Sequence, residues 1–195
     1  MVHQNRGNWF SYPKCCIKNY SKHGGGYYFV NCVRDLFMKK SVFDFRMNPF
    51  LVATPFHLFV HLPCSLECKK TFDYTKKLLG IIKQKNNRLY KDIVRLNRAP
   101  VFYTDILGRG ILFEGKIKSN KINYKNFYFD KSGLKEQSKY NKEGDILLLS
   151  SIFGALSQGD SLVLEDGVLS IKKGDSLIKS FENSKHLLWK IINFI

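Results

Sequence analysis

The chain has 195 residues, 44% hydrophobic and 25% charged, a balance that argues against intrinsic disorder and allows one core large enough to fold without disulfide staples. Its net charge of +16 points to anionic partners, either nucleic acid or a small anion. No stretch reaches the ~18 apolar residues of a membrane span, and the opening Met1–Phe10 lacks the apolar centre of a signal peptide. A cytoplasmic location is therefore expected, where five cysteines do not read as a disulfide framework.

Part of the charge is compositional. Lys, Asn, Ile, Phe and Tyr are abundant, and all have AT-rich codons; Ala occurs only at 53, 99 and 155. Lys outnumbers Arg, the better residue for bidentate phosphate recognition, by 25 to 7. The charge is also uneven. Residues 64–142 hold 19 basic and 7 acidic side chains, whereas 143–195 hold 5 and 7.

In chain order, a first helix is predicted over about 12–20, with Pro13 in its first turn, where a missing N–H costs nothing. The run Ser21–Gly26 reads as a turn and lacks the Lys-Ser/Thr of a phosphate loop. A second helix over about 27–39 places Phe29, Cys32, Val33, Leu36 and Phe37 on one face, which makes Cys32 a core residue. Residues 56–61 read as a strand, with His57, Phe59 and His61 on one side. Ser65 suits the N-cap of a helix over about 66–84, with Cys68, Phe72, Thr75, Leu79 and Ile82 inward and Lys69, Lys76 and Lys83 outward. A fourth helix is expected over about 88–97, with Leu89, Ile93 and Leu96 on one face.

Strands are then predicted over 100–106, 110–118 and 122–129, followed by a buried helix over 145–157. Residues 161–165 and 168–172 flank Asp166-Gly167, a strong hairpin signal. The tail 186–195 reads as a short helix or strand. The chain is thus expected to be α+β, a single domain over 1–195 with a helix-rich part (1–98) carrying the Cys/His residues and a strand-rich part (99–195) with a terminal hairpin.

Two clusters carry the chemistry: Tyr12-Pro13-Lys14-Cys15-Cys16 and His61-Leu62-Pro63-Cys64-Ser65-Leu66-Glu67-Cys68. Each is expected at a helix N-terminus, where free N–H groups and the dipole favour a thiolate. Cys15, Cys16, Cys64 and Cys68, with His61 as a further ligand or as an acid/base group, therefore form a candidate metal site. Thiolates with or without an imidazole suit zinc or an iron–sulfur cluster; the Cys-Cys and C-x3-C spacings fit a cluster slightly better and leave both open. A metal-free thiol site, with Cys64 or Cys15 as nucleophile and His61 as base, and a purely packed set of cysteines are the other readings.

These motifs resemble those of an uncharacterised family of archaeal and bacterial proteins with an early Gly-Tyr-Pro-x-Cys-Cys, where Ser11 here replaces the Gly, and a later His-x-Pro-Cys-Ser-x-x-Cys. The resemblance implies that the two clusters belong together and implies no activity.

Arg109 and Lys69 are candidate anion-binding residues. Lys is interleaved with aromatic residues over Tyr124–Phe129, a pattern of single-strand nucleic-acid binders, though an edge strand with one buried face is the stronger reading. Two functional expectations follow: a metal-binding protein, redox or metal-dependent, acting on an anionic substrate; or a nucleic-acid-binding module with a structural zinc.

Overall fold

The structure, a computed structural model, describes residues 11–23, 34–35, 37–51, 54–61, 63–104, 109–129, 143–183 and 187–195. The architecture is mixed α and β. Among the described residues, four helices, α1 (Lys14–His23), α2 (Lys69–Lys85), α3 (Asn87–Asn97) and α4 (Glu143–Leu156), accompany eight strands. These are β1 (Val42–Phe43), β2 (Val101–Thr104), β3 (Arg109–Lys118), β4 (Lys121–Tyr128), β5 (Ser161–Glu165), β6 (Val168–Lys173), β7 (Ser176–Glu182) and β8 (Trp189–Phe194). Residues 34, 35 and 37–39 are also helical. The rest of the expected second helix, including Cys32, and Gly24–Gly26 lie outside the described residues. The chain divides into two compact units, one of Met1–Arg98 with Phe194–Ile195 and one of Ala99–Asn193.

The first unit is built on aromatic packing. Phe37 is fully buried, edge-on to Phe43 and stacked on Phe50. The last residues of the chain join this unit: the Ile195 N–H donates to the Phe43 carbonyl and the Phe45 N–H to the Ile195 carbonyl. Two buried asparagines tie the loop that precedes α2 to α3. Asn48 donates to the Asn97 carbonyl at 2.9 Å, and Asn97 donates to the Phe56 carbonyl at 3.0 Å. Arg46 grips Asp44 through Nε and Nη2 and lies 4.1 Å over the Phe72 ring.

Residues 56–61 do not form the expected strand. They run as bends and turns, and Leu58 and Phe59 are both buried while Val60 is 53% exposed. Consecutive rather than alternate burial is incompatible with a pleated strand, and the Phe56 carbonyl is taken by Asn97 instead of a neighbouring strand. The helix expected from 66 begins at Lys69 with Cys68 as its N-cap. Ser65 caps nothing; its hydroxyl accepts from the Glu67 N–H at 2.9 Å, a local turn that competes with helix.

The second unit carries an antiparallel sheet in the order β8-β2-β3-β4-β5-β6-β7. Phe102, Ile111, Phe113, Ile122, Leu162, Leu169 and Ile171 are fully buried, and Leu149, Ile152, Ala155 and Leu156 of α4 belong to the same core. The helix expected to be buried over 145–157 packs one face in the core, while its other face meets water at Leu147, 65% exposed. Asp166 and Gly167 have φ of 48° and 78°, as the two central residues of a tight hairpin require. That hairpin is not terminal, because β7 and β8 follow it. β7 is mostly exposed and shows no apolar alternation from which a strand could be read. The aromatic run of β4 points largely into the core. Tyr124 is buried, its hydroxyl donates to the Leu156 carbonyl at the end of α4, and Phe127 stacks on Phe153. No described helix is long and apolar enough to cross a membrane.

Candidate metal centre

The site starts from two helix ends. The Pro13 carbonyl accepts from the N–H groups of Cys16 and Ile17, at 2.8 and 3.1 Å, so Pro13 sets the start of α1 and puts Cys15 and Cys16 in its first turn. At the other end, the Cys68 N–H donates to the Ser65 carbonyl and the Phe72 N–H to the Cys68 carbonyl. The loop thus turns at Cys64–Cys68 and enters α2 with Cys68 at the cap. Asn19 of α1 reaches across to donate to the Cys64 carbonyl at 3.4 Å.

The four sulfurs converge. Cys15 and Cys16 Sγ are 3.9 Å apart, Cys15 and Cys68 3.8 Å, and Cys16 and Cys68 3.7 Å. The Sγ atoms of Cys15, Cys16, Cys64 and Cys68 all lie within 4.8 Å of one another, a group that could hold a metal ion. Cys16 and Cys68 are buried, while Cys15 and Cys64 are half-buried. All four are free thiols. Adjacency does not prevent Cys15 and Cys16 from both contributing, because the first turn of a helix fans successive side chains about a point beyond its end.

Protonation here is set by burial and by the sulfurs themselves. Burial pushes the Cys16 thiol up to about 11, against hydrogen bonds from Thr71 and from the Cys64 N–H that pull it down. Burial also raises Cys64 strongly, reinforced by the charges of Cys16 and Cys68. At Cys68 burial again acts upward, but hydrogen bonds from Thr71, Cys64 and Cys16 outweigh it and bring the thiol down to about 7. The lowering expected from helix termini therefore holds at Cys68, whereas desolvation wins at Cys16 and Cys64. Crowded buried thiolates repel one another, and a divalent cation among them removes that penalty.

His61 stands one step outside the sulfur group. Its ring is buried against Tyr12, centroids 5.1 Å apart, and Phe59, at 5.7 Å. Its Nε2 is 2.8 Å from Thr71 Oγ1, which is in turn 3.6 Å from Cys16 Sγ. Burial lowers the His61 pKa to about 4, so the ring is neutral at physiological pH. A hydroxyl has one proton. If Thr71 gives it to the Cys16 sulfur, His61 must present Nε2–H to Thr71. Sequence reasoning missed Thr71, although it follows Cys68 by three residues and so shares its helix face.

Lys69 is exposed at the start of α2 and lines a cavity of about 470 Å³ together with Phe43, Asp44, Glu67 and Phe72; the two carboxylates there pair with other cations, Asp44 with Arg46 and Glu67 with Lys40. Arg109 opens β3 in the second unit, and its side chain lies outside the described residues.

Replacement of Thr71 by Val keeps the shape and removes the hydroxyl. Loss of a hydrogen-bonded group behind a metal ligand typically lowers metal affinity 10- to 100-fold. Thr71→Val is expected to show a drop of roughly that size in competition titrations against a chromophoric chelator; unchanged affinity would show that the His61–Thr71 pair supports packing alone.

No curated protein and no solved structure matches the chain. A family match covers residues 1–99, half of the chain and the whole of both cysteine clusters. On that match the chain belongs to the family described as "Protein of unknown function (DUF483)".

Proposed function

We propose that Cys15, Cys16, Cys64 and Cys68 hold one tetrahedral zinc ion, and that this centre is structural. The observation that carries the reading is the sulfur spacing. Zn–S bonds of ~2.3 Å in a tetrahedron give S–S edges of roughly 3.8 Å; the three pairs among Cys15, Cys16 and Cys68 lie at 3.7 to 3.9 Å, and Cys64 Sγ lies within 4.8 Å of each. An iron–sulfur cluster divides its four cysteines among two or four irons, so some of its cysteine sulfurs must stand farther apart than one such edge. Four thiolates also fill the coordination shell, and a closed shell is the mark of a structural zinc site, where a catalytic one keeps a position open.

The charge around the site supports the same reading. Neither α1 nor α2 has an acidic residue in its first turn, and Lys14, Lys69 and Lys70 occupy those turns instead. Lysine at a helix N-terminus opposes the dipole by about 0.3–1 kcal/mol. A zinc ion with four thiolates carries a net charge of −2, which suits both the helix ends and these lysines. His61 then serves as the buried support of Thr71 rather than as a fifth ligand.

Anaerobic purification followed by metal and sulfide analysis tests the proposal. One zinc per chain and no acid-labile sulfide is the expected result. Iron with stoichiometric sulfide would replace zinc by a cluster, and absence of any metal from freshly purified protein would remove the centre.

A further inference from the structure

We propose that the exposed face of α2 binds single-stranded nucleic acid, with Tyr74 as a stacking platform and Lys70 and Lys77 meeting the flanking phosphates. α2 has 17 residues, about 25 Å of helix at 1.5 Å per residue. Its buried side is accounted for by Thr71, Thr75 and Leu79. The opposite side is unusual. Lys69, Lys70, Lys76, Lys77, Lys83 and Lys85 are all exposed, and Asp73 is the only acidic residue of the helix. Among the described residues, none of these six lysines is in an ion pair.

The lysines alone would suit any anion. Tyr74 narrows the choice. It is 54% exposed, although a tyrosine ring normally hides most of its apolar body. Lys70 precedes it by four residues and Lys77 follows by three, so on a 3.6-residue helix all three lie in one stripe, with Ile81, 52% exposed, one turn further on. An aromatic face flanked by cations is the arrangement that recognises an unpaired strand: bases stack on the ring, and phosphates pair with the ammonium groups. A duplex hides its base faces and would leave Tyr74 without a partner. An anionic membrane calls for a wider apolar stripe than Tyr74 and Ile81 provide. The proposal rests on this face and does not depend on which ion the cysteines hold.

The test is fluorescence anisotropy of a labelled 12-nucleotide single-stranded RNA and its DNA counterpart, titrated with the full chain as purified, at several salt concentrations. Binding is expected to weaken steeply with salt. Tyr74→Ala is expected to lower affinity about tenfold, in the range of one lost base stack. The double variant Lys70→Gln/Lys77→Gln is expected to lower affinity and flatten the salt slope by about 1.4, or 0.7 for each phosphate contact with a single strand. Both changes sit on an exposed face and leave the buried side untouched. Lys116→Gln/Lys118→Gln, a change of equal charge on exposed residues of β3, is expected to behave as wild type. The proposal is overturned if the α2 variants bind as well as wild type, or if the β3 control loses as much as they do. Tighter binding to a duplex of the same length, or to vesicles containing phosphatidylserine, would overturn it equally.

Discussion

Stripping the metal with a strong chelator is expected to release α1 while the rest of its unit stays folded. The reason lies in the length of this helix and in the two sulfurs it gives to the site. α1 has ten residues, below the ~12–15 at which an isolated helix becomes even marginal in water. Among its described side chains, Cys16 alone is fully buried. Asn19 donates to the Cys64 carbonyl, and the two sulfurs that α1 contributes tie it to the Cys64–Cys68 turn. A structural zinc can supply on the order of 10 kcal/mol to the fold that surrounds it. By contrast α2 and α3 keep Leu79, Ile93 and the Asn48–Asn97 hydrogen bonds without any metal.

Amide hydrogen exchange reads the difference directly. Residues 14–23 are expected to gain exchange rates by roughly a thousandfold or more on chelation, equivalent to about 4 kcal/mol of lost local stability, with little change across α3. Cys16→Ser should reproduce this without chelator. Exchange over 14–23 that is indifferent to chelator would mean that the cysteines are packed rather than coordinated. Acid acts in the same direction as chelator, because protons compete with the ion for the thiolates, and the raised pKa of Cys16 and Cys64 strengthens that competition. Zinc affinity is therefore expected to fall as pH drops.

The second large effect is expected in the other unit. Phe113 is fully buried at the centre of the sheet, 5.0 Å from the Tyr124 ring and 6.4 Å from Phe127. Phe113→Ala removes the ring and leaves a cavity that the paired strands β2, β3 and β4 cannot close. Such changes cost about 3–5 kcal/mol. Trp189 belongs to the same core, so in a Trp9→Phe background its fluorescence follows this unit alone through a denaturant titration. A shift of that size in the Trp189 transition is the expected result; a loss below about 1 kcal/mol would mean that the core rearranges around the gap, as well-tolerated core changes do.

How legible all this was in the sequence varied with the kind of signal. Helices α2 and α3 and strands β3 to β6 were plain, because period and local turn chemistry agree. Asp166-Gly167 is the clearest case, since its two positive φ values are what that dipeptide favours. The segment 56–61 misled because a mostly apolar string leading to Pro63 matches a strand, and nothing local reveals that Asn97, some forty residues later, takes the Phe56 carbonyl. Ser65 misled for a related reason: its hydroxyl had two possible turns to stabilise, and the local one won. β7 was invisible because most of its side chains face water and its place in the sheet comes from backbone pairing with β6.

The site was legible as a composition and not as a geometry. Motif and spacing brought out Cys15, Cys16, Cys64 and Cys68, and both members of the adjacent pair join the group. The choice between an ion and a cluster was beyond the sequence, because it turns on sulfur separations near 3.8 Å that depend on how the Cys64–Cys68 turn meets α1. His61 shows the same limit. Its proximity to the cysteines was foreseeable, but its hydrogen bond to Thr71 was not, since that needs the ring direction. The charge of the chain likewise said little until α2 placed Tyr74 between two lysines on an open face.

X-ray absorption at the zinc edge of the purified protein tests the central claim most directly. The account predicts one shell of four sulfur scatterers at about 2.3 Å, lost on replacement of Cys16 and Cys68 by Ser. A shell with nitrogen or oxygen ligands in place of sulfur, or iron in place of zinc with a second metal scatterer nearby, would contradict it.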